Sequence, residues 1–189
     1  NNNDNDGTTN EIVTGSIREG DYLAGDGGVI WDYAARGATY FNDIAGIGRD
    51  DLACLDQTHS KSENSDAIVD IQIDSFSETD SWFVWGNDNA PMEDTRNFER
   101  PAEINSRLNR EWQAQETGTV GTVTVTFDLT DITGTPTGAN DLSQIRLMVD
   151  QDGDFRSGVT LITPSSFDSF SKTVSFQVDF TSSTGYYFT

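Results

Sequence analysis

The residues Asp150-Gln151-Asp152-Gly153-Asp154 have the types and spacing of a cation-binding loop. Alternating aspartates place carboxylates on one side of a tight turn, and the glycine supplies the backbone freedom that lets the turn wrap around an ion. The segment matches only the start of a twelve-residue EF-hand loop, because the chain continues as Phe155-Arg156-Ser157-Gly158 without a bidentate Glu. The three aspartates therefore indicate a calcium loop, and the alternative is a solvated turn rich in Asp.

A second polar group, Trp85-Gly86-Asn87-Asp88-Asn89, follows an apolar run and so lies at the exit of an expected strand. Asn and Asp offer the hard oxygen ligands that calcium prefers, and the neighbouring Trp offers a face for stacking. The same residue types are also ordinary in a hairpin turn, where Asn and Asp bond to the backbone nearby. The spacing alone does not separate these two interpretations.

The third group lies between Asn42 and Asp51 and contains Asp43, Arg49 and Asp50. Asp50 and Asp51 point in different directions in an extended chain, so one could bind a metal while the other caps a helix that begins near residue 52. Arg49 is the only cation in this acidic stretch, and a structural pairing with a buried carboxylate is favoured over a role in binding a ligand. The glycines at 46 and 48 do not make a nucleotide-binding loop, because the third glycine and the preceding strand are missing.

Residues that could carry catalysis are scarce. His59 is the only histidine and Cys54 the only cysteine, which disfavours a zinc enzyme, a thiol protease and an internal disulfide. A carboxylate pair for glycoside hydrolysis could be chosen almost anywhere among 32 acidic residues, so its presence discriminates nothing. We therefore expect a binding module and not an enzyme.

The elements that must position these groups are strands. Segments 67–74, 121–130, 145–149 and 173–180 alternate apolar and polar residues, as strands with one buried face do. The run 81–86 is apolar on both faces and predicts a central strand. Together with Gly/Pro/Asn/Asp turns, these segments predict an all-β fold, an antiparallel β-sandwich with long calcium-binding loops.

Less regular segments separate and flank those strands. Residues 20–65 are rich in glycine and predict long packed loops with short strands, and 92–109 predicts a loop or a short helix around 102–109. The sequence of residues 133–140 predicts a turn, and that of residues 186–188 predicts an edge or closing strand. The polar residues 1–16 read as a linker or the end of a preceding module, and 17–189 as the ligand-binding sandwich domain. Beside Trp112, the charged residues Arg107, Arg110 and Glu111 are expected to form surface ion pairs.

The formal net charge of -21 excludes one class of partner and favours another. A nucleic acid needs a basic footprint, and an anionic membrane surface is disfavoured for the same reason, so we expect no nucleic acid partner. No apolar stretch is long enough for a membrane span, so we also expect no direct membrane insertion. Aromatic residues make up 11% of the chain, which argues against disorder. Dense acidic loops on a compact fold favour bound cations, and the alternative is adaptation to salt or a need for solubility.

The motifs above resemble, in their order, one family. They run from Gly46-Ile47-Gly48-Arg49-Asp50-Asp51 through Trp85-Gly86-Asn87-Asp88-Asn89 to Arg110-Glu111-Trp112 and Val149-Asp150-Gln151-Asp152-Gly153-Asp154-Phe155. Over roughly residues 20 to 189 the chain resembles the peptide-binding domain of giant calcium-dependent RTX adhesins of marine and aquatic Gram-negative bacteria. The combination of motifs is specific, whereas each motif alone is weak.

This resemblance implies a secreted, cell-surface adhesion module, monomeric within a longer chain, that takes part in attachment and biofilm formation. It also implies that calcium captures the C-terminal carboxylate of peptides from host or algal surface proteins. Beyond Asp150, Asp152 and Asp154, the candidate calcium ligands are Asp43, Asp50, Asp51, Asp88 and Asn89. The candidate ligand-binding residues are Trp85, Asn87, Tyr33 and Arg49.

Two other functions share most of these residues. A lectin-like module that binds carbohydrate through calcium and exposed aromatic rings would look nearly the same in sequence, so glycans stay an alternative partner. A passive spacer stiffened by calcium would carry its sites only at the ends, near Asp4 and Asp6. The long loops within 20–65 argue against the spacer.

Overall fold

The computed structural model describes residues 21–36, 39–132, 144–181 and 185–189. These residues form short strands joined by turns, with a single four-residue helix among the described elements. In chain order the strands are β1 (Tyr22–Leu23), β2 (Val29–Trp31), β3 (Asn42–Asp50), β4 (Leu55–Gln57), β5 (His59–Lys61), β6 (Val69–Gln72), β7 (Ser81–Asn87), β8 (Trp112–Thr117), β9 (Thr122–Asp128), β10 (Leu147–Asp150), β11 (Thr160–Ile162), β12 (Ser166–Asp168), β13 (Thr173–Asp179) and β14 (Tyr186–Phe188). Helix α1 (Tyr33–Arg36) lies between β2 and β3.

Two large antiparallel sheets pack face to face. One has seven strands in the order β11-β10-β14-β8-β7-β3-β4, and the other has five in the order β12-β13-β9-β6-β5. Their inner faces contribute to one apolar cluster, in which residues of β7 and β8 meet residues of β6, β9 and β13. The fold is therefore the antiparallel β-sandwich that the sequence predicts.

The five-stranded sheet follows directly from alternation along its sequence. In β9, Val123, Val125 and Phe127 are buried in the core, and the threonines between them face outward. Strand β13 pairs with β9 over seven residues, from Thr173 opposite Asp128 to Asp179 opposite Thr122. Because side chains alternate between the two faces of a strand, this register places all the apolar residues of both strands on one side.

Strand β7 is buried along its whole length, as its apolar run predicts. Phe83 and Trp85 point into the core between the sheets. Trp82 and Val84 point to the outer face, where Trp31 and its neighbours in 22–31 form a second, smaller apolar cluster over them. The segment that contains β1 and β2 thus covers the outer face of the large sheet.

Strand β3 corrects the expectation of loops with short strands in 20–65, because it runs nine residues and pairs with both β7 and β4. Its glycines are required by packing and not by a turn. A Cβ atom placed on Gly48 would lie 2.1 Å from the ring of Trp82, which covers it from the neighbouring strand. A strand with such a glycine lacks the alternating apolar side chains by which strands are recognised in sequence.

The structure also tests the predictions for residues 102–109 and 186–188. Residues 102–109 form turns and irregular backbone, so the loop interpretation holds and the short helix does not form. Strand β14 lies between β10 and β8, so it closes the sheet and is not an edge. The linker 1–16 and the turn 133–140 lie outside the described residues. Among the described helices, none is long and apolar enough to cross a membrane.

Candidate functional site

The loop after β10 folds around the carboxylate of Asp150. This residue is 4% exposed, and its Oδ1 accepts hydrogen bonds from the backbone N–H groups of Asp152 at 2.7 Å and Gly153 at 2.8 Å. Gly153 has φ +80°, a left-handed conformation that L side chains rarely adopt. The segment therefore forms a tight turn centred on the Asp150 carboxylate, a conformation that the calcium-loop and the Asp-rich-turn interpretations both expect.

Two carboxyl groups meet in this loop. The side chain of Asp152 contacts that of Asp150, and burial together with this contact raises the pKa of Asp150, while its backbone hydrogen bonds oppose the rise. Neither residue belongs to an ion pair within the described part of the chain. Like charges repel, and the buried charge of Asp150 has no counter-charge among the described residues, so a positive charge at this point would relieve both penalties.

The third aspartate of the loop is already paired. Both carboxylate oxygens of Asp154 accept from Arg156, at 2.7 Å from Nε and 2.6 Å from Nη2, and this pairing lowers the pKa of Asp154. The arginine side chain is largely exposed. A role for Asp154 as a calcium ligand would therefore require it to leave or share this partner.

The loop is held against the sheet by its apolar and aromatic neighbours. Phe155 is fully buried, and the guanidinium carbon of Arg107 lies 4.9 Å from the centre of its ring. Gly153 lies against the ring of Tyr187, and Gln151 donates to the Tyr186 hydroxyl at 3.3 Å. These contacts fix where the acidic turn lies relative to β14.

Asp43 lies in a different place, at the start of β3, and its carboxylate is surrounded by donors. Its Oδ1 accepts from Asn64 Nδ2 and its Oδ2 from Asn87 Nδ2, each at 2.7 Å. Arg110 Nη1 is 3.5 Å from the same Oδ2. Asp43 also has φ +52°, an uncommon conformation for a residue with a side chain, so the network holds strained backbone.

Arg110 supplies the positive charge at this point. It is buried, its Nε donates to the Ala90 carbonyl at 2.8 Å, and its Nη1 donates to the Asp66 carbonyl at 3.1 Å. The expectation that Arg110 and Arg107 form surface ion pairs is therefore wrong, because both are buried. The positive charge that lies beside Asp43 in the structure is the guanidinium of Arg110.

The segment after β7 is a turn stabilised by its own side chains. Asn87 Oδ1 accepts from the backbone N–H of Asn89 at 2.8 Å, and Asp88 Oδ1 accepts from the backbone N–H groups of Ala90 and Glu111 at 3.0 and 3.1 Å. The bonds of Asn87 and Asp88 to backbone two residues on are those of the turn interpretation, but the connection from β7 to β8 runs over residues 88–111 and is not a tight hairpin. Trp85 and Asn87 are each 1% exposed, so the prediction that they face a ligand is wrong, since one packs in the core and the other bonds to Asp43.

Asp50 and Asp51 point apart, as expected from an extended chain. Asp50 is buried and accepts from the backbone N–H groups of Ala53 and Gly25, and these hydrogen bonds lower its pKa. Residues 51–54 form a turn in place of the expected helix. Asp51 pairs with Arg49 at 2.9 Å. Arg49 therefore has a carboxylate partner within the chain, but this carboxylate is exposed and not buried as expected.

The predicted site residues therefore divide into three separate places. Asp43 and Asp150 lie on strands separated by β7, β8 and β14, about 19 Å apart at the usual spacing of strands. Asp43 and Asp50 lie at opposite ends of β3, about 24 Å apart. Tyr33 lies half-buried in α1, where its backbone N–H donates to Asp21. In the described residues no group of three or more His, Cys, Asp or Glu side chains is arranged to hold a metal.

Sequence reasoning expected surface ion pairs from Arg107 and Glu111 but missed that both belong to a largely buried network of four charged residues beside the β10 loop. Glu111 accepts from Arg96 at 2.7 Å and from Arg107, and Glu99 accepts from the same two arginines at 2.6 and 3.0 Å. Tyr40 donates to Glu111 at 3.3 Å, and burial raises the pKa of this tyrosine. The only signal in the sequence was the high density of charged residues between 93 and 111. These residues follow no periodic pattern that would indicate which of them are buried.

A second missed residue is Glu116, at the end of β8. It is 8% exposed, its Oε1 accepts from the backbone N–H of Val120 at 3.2 Å, and its Oε2 is buried without a hydrogen-bond partner among the described residues. Burial raises the pKa of Glu116 to about 7, and the charge of Asp179 adds to the rise.

The fold and the acidic loop define an antiparallel β-sandwich domain with an acidic turn at the end of a strand of its larger sheet. The chain belongs to the family described as a domain of unknown function, DUF8202, whose model matches residues 7–184. No curated protein and no solved structure matches the chain significantly.

Proposed function

We propose that this chain is a calcium-dependent adhesion module of a secreted bacterial surface protein, and that it binds the C-terminal peptides of host or algal surface proteins. The observation that carries the proposal is the contact between the carboxyl group of the buried Asp150 and that of the exposed Asp152, neither of which has a basic partner among the described residues. The resemblance of the motif order to the peptide-binding domain of RTX adhesins supports the same function.

The residues present fit a calcium ion. Carboxylate oxygens of Asp150 and Asp152 are hard donors, and the left-handed backbone at Gly153 lets the chain turn back around them. Two neighbouring carboxylates with a bound divalent cation no longer repel one another. Asp154 is a weaker candidate, since it is held by Arg156.

A bound cation also explains how so acidic a chain would attract a peptide carboxylate. With a net charge of -21, the surface repels anions unless a local positive centre inverts the field. Calcium would supply that centre, and a terminal carboxylate is a hard anionic ligand suited to it. A free C-terminus occurs once per chain, so such a site would select chain ends over internal sequence.

Binding of a C-terminal peptide library tests this function. Each peptide is presented as the free acid and as the amide, in calcium and in chelator, to the native chain and to Asp150→Asn. We expect binding of free acids only, in calcium only, with loss in the variant. Asp74→Asn, which changes an exposed aspartate elsewhere, is the matched control and should bind as the native chain does. Equal binding of acids and amides would exclude capture of the carboxylate.

Carbohydrate binding is the second candidate, and one feature favours it. A cleft of about 330 Å³ beside β5 is lined mostly by hydroxyl, amide and carboxyl groups, including Ser62, Asn64 and Asp131, which suit sugar hydroxyls. None of the described residues that line it is aromatic, so a stacking surface for a sugar ring is missing there. Competition by free sugars against C-terminal peptides separates the two functions.

A further inference from the structure

We propose that a cleft at one end of the sandwich is a second binding site, which takes an amphiphilic amine, that is, an apolar chain or ring that carries an ammonium group. The cleft has a volume of about 720 Å³ and lies between the two sheets, under the loop that contains residues 103–108. It shares no aspartate with the β10 turn. The proposal stands independently of calcium and of peptide binding.

The floor of the cleft is the apolar interior of the sandwich. Phe127 and Leu129 reach it from β9 and the residue after it, Val174 and Phe176 from β13, and Leu147 from β10. All five belong to the core cluster, so the cleft opens directly onto the packed interior. An apolar group that enters it is removed from water on several sides, as in ordinary ligand pockets.

The polar side of the cleft carries an oxygen that lacks a partner. Asp94 lines the cleft, and its Oδ1 is buried without a hydrogen-bond partner among the described residues. A buried carboxylate oxygen without a donor is costly, and an incoming N–H or O–H group would satisfy it. Glu103 adds a second carboxylate to the same lining.

The arginines that line the cleft have partners within the protein. Arg107 pairs with Glu99 and Glu111, and Arg146 Nη1 donates to the Ile145 carbonyl at 2.6 Å. The charge of Arg107 is balanced within a network of two arginines and two glutamates, whereas Arg146 donates to a neutral carbonyl and keeps its charge. Among the described lining residues, the two carboxylates of Asp94 and Glu103 therefore outnumber the one remaining guanidinium, that of Arg146. The charge of the lining therefore complements a cationic head group and opposes an anionic one, as does the net charge of -21.

Three probes with the same alkyl chain and different head groups test the site: decylamine, decanol and decanoate, each measured by calorimetry below its aggregation limit. We expect decylamine to bind at least roughly tenfold more tightly than decanoate, since one charge-assisted hydrogen bond corresponds to about that factor. Asp94→Asn should weaken decylamine by roughly tenfold and leave decanol unchanged. Asp74→Asn, an exposed aspartate outside the cleft, controls for general attraction to an acidic surface and should change nothing.

A second variant tests the location. Leu161→Trp on the edge strand β11 narrows the cleft from its side and should weaken decylamine and decanol together, with circular dichroism reporting that the sheet is intact. Equal affinity for decylamine and decanoate, equal loss in Asp94→Asn and Asp74→Asn, or unchanged binding of decylamine to Leu161→Trp would each overturn the proposal. Chelation of calcium should leave decylamine binding intact, so failure here and failure of the peptide site are distinguishable.

Discussion

The buried carboxyl groups of this chain are stabilised in different ways. Asp43 lies among amide donors and a guanidinium, and Glu111 lies among two guanidinium groups. Asp150 has backbone donors and a second acid beside it, while Glu116 has one backbone donor and an oxygen to which no described residue donates. Since an unpaired buried charge is costly, the first two support the fold, and the last two are where ionisation opposes it.

Replacement of Glu116 by Gln should make stability less dependent on pH. The folded-state pKa of about 7 lies above the ordinary value of 4.5, so the folded state binds the proton more tightly than the unfolded state. Stability is therefore lost as the pH rises from about 4.5 to 7, by up to about 3 kcal/mol. Gln keeps an oxygen for the Val120 N–H and does not ionise, so the variant should be more stable than the native chain at pH 8.5.

Urea unfolding of both proteins at pH 5 and pH 8.5, at fixed calcium, measures this difference. The gain in stability should be several times larger at pH 8.5 than at pH 5. Glu78→Gln removes a charge from an exposed position and serves as the control, with an expected change within about 0.5 kcal/mol at either pH. A Glu116→Gln variant that follows the native pH profile would show that this carboxyl group ionises freely in the folded state.

At the scale of elements, buried arginines join segments that the sheets alone leave apart. Arg110, which precedes β8, bonds to Asp66 in the loop before β6, to Ala90 in the loop after β7 and to Asp43 in β3. Arg107 joins Glu99, Glu111 and the aromatic ring of the β10 loop. These long loops lie at the surface of the sandwich, so fixed ion pairs take the place of the apolar contacts that hold the strands.

Replacement of Arg110 by Met should destabilise the fold by about 3–5 kcal/mol, because it leaves the Asp43 carboxylate buried without its counter-charge. The double variant Asp43→Asn/Arg110→Met should recover part of the loss, since the uncompensated charge is then absent. Arg156→Gln breaks an exposed pair and should cost less than about 1 kcal/mol. The midpoints of urea unfolding compare the three variants, and equal costs for Arg110→Met and Arg156→Gln would contradict the buried role of Arg110.

How much of the fold and of the candidate site can be predicted from the sequence depends on whether each feature is caused by residues that are close together in the chain. The strands β9 and β13 were predicted because the alternation of Val, Phe and Thr states which face is buried. Strand β3 was missed because its glycines are explained only by Trp82 on a neighbouring strand. The turn at Asp150 was predicted from residues two apart, whereas the pairing of Asp43 with Arg110 joins positions that are distant in sequence. Composition showed many acids but could not show which arginines lie inside.

The whole molecule combines a net charge of -21 with a sandwich that has one cysteine and so no internal disulfide. Mutual repulsion of surface carboxylates opposes the compact state, and either bound cations or a salt atmosphere must reduce it. The two explanations differ in specificity, because a calcium site needs ligands in one place, whereas screening depends only on ionic strength. The contact between Asp150 and Asp152 offers one such place.

Removal of calcium should therefore lower the melting temperature. If free calcium is a hundredfold above the dissociation constant, one site contributes about 2.7 kcal/mol, which corresponds to roughly 5–10 °C for a domain of this size. Calorimetric melting in millimolar calcium, in chelator, and in chelator with sodium chloride at matched ionic strength measures the effect. Asp150→Asn should melt at the same temperature with and without calcium if the β10 turn is the principal site. If sodium chloride restores stability as fully as calcium does, screening accounts for the acidic composition, and the calcium site with its captured carboxylate is excluded.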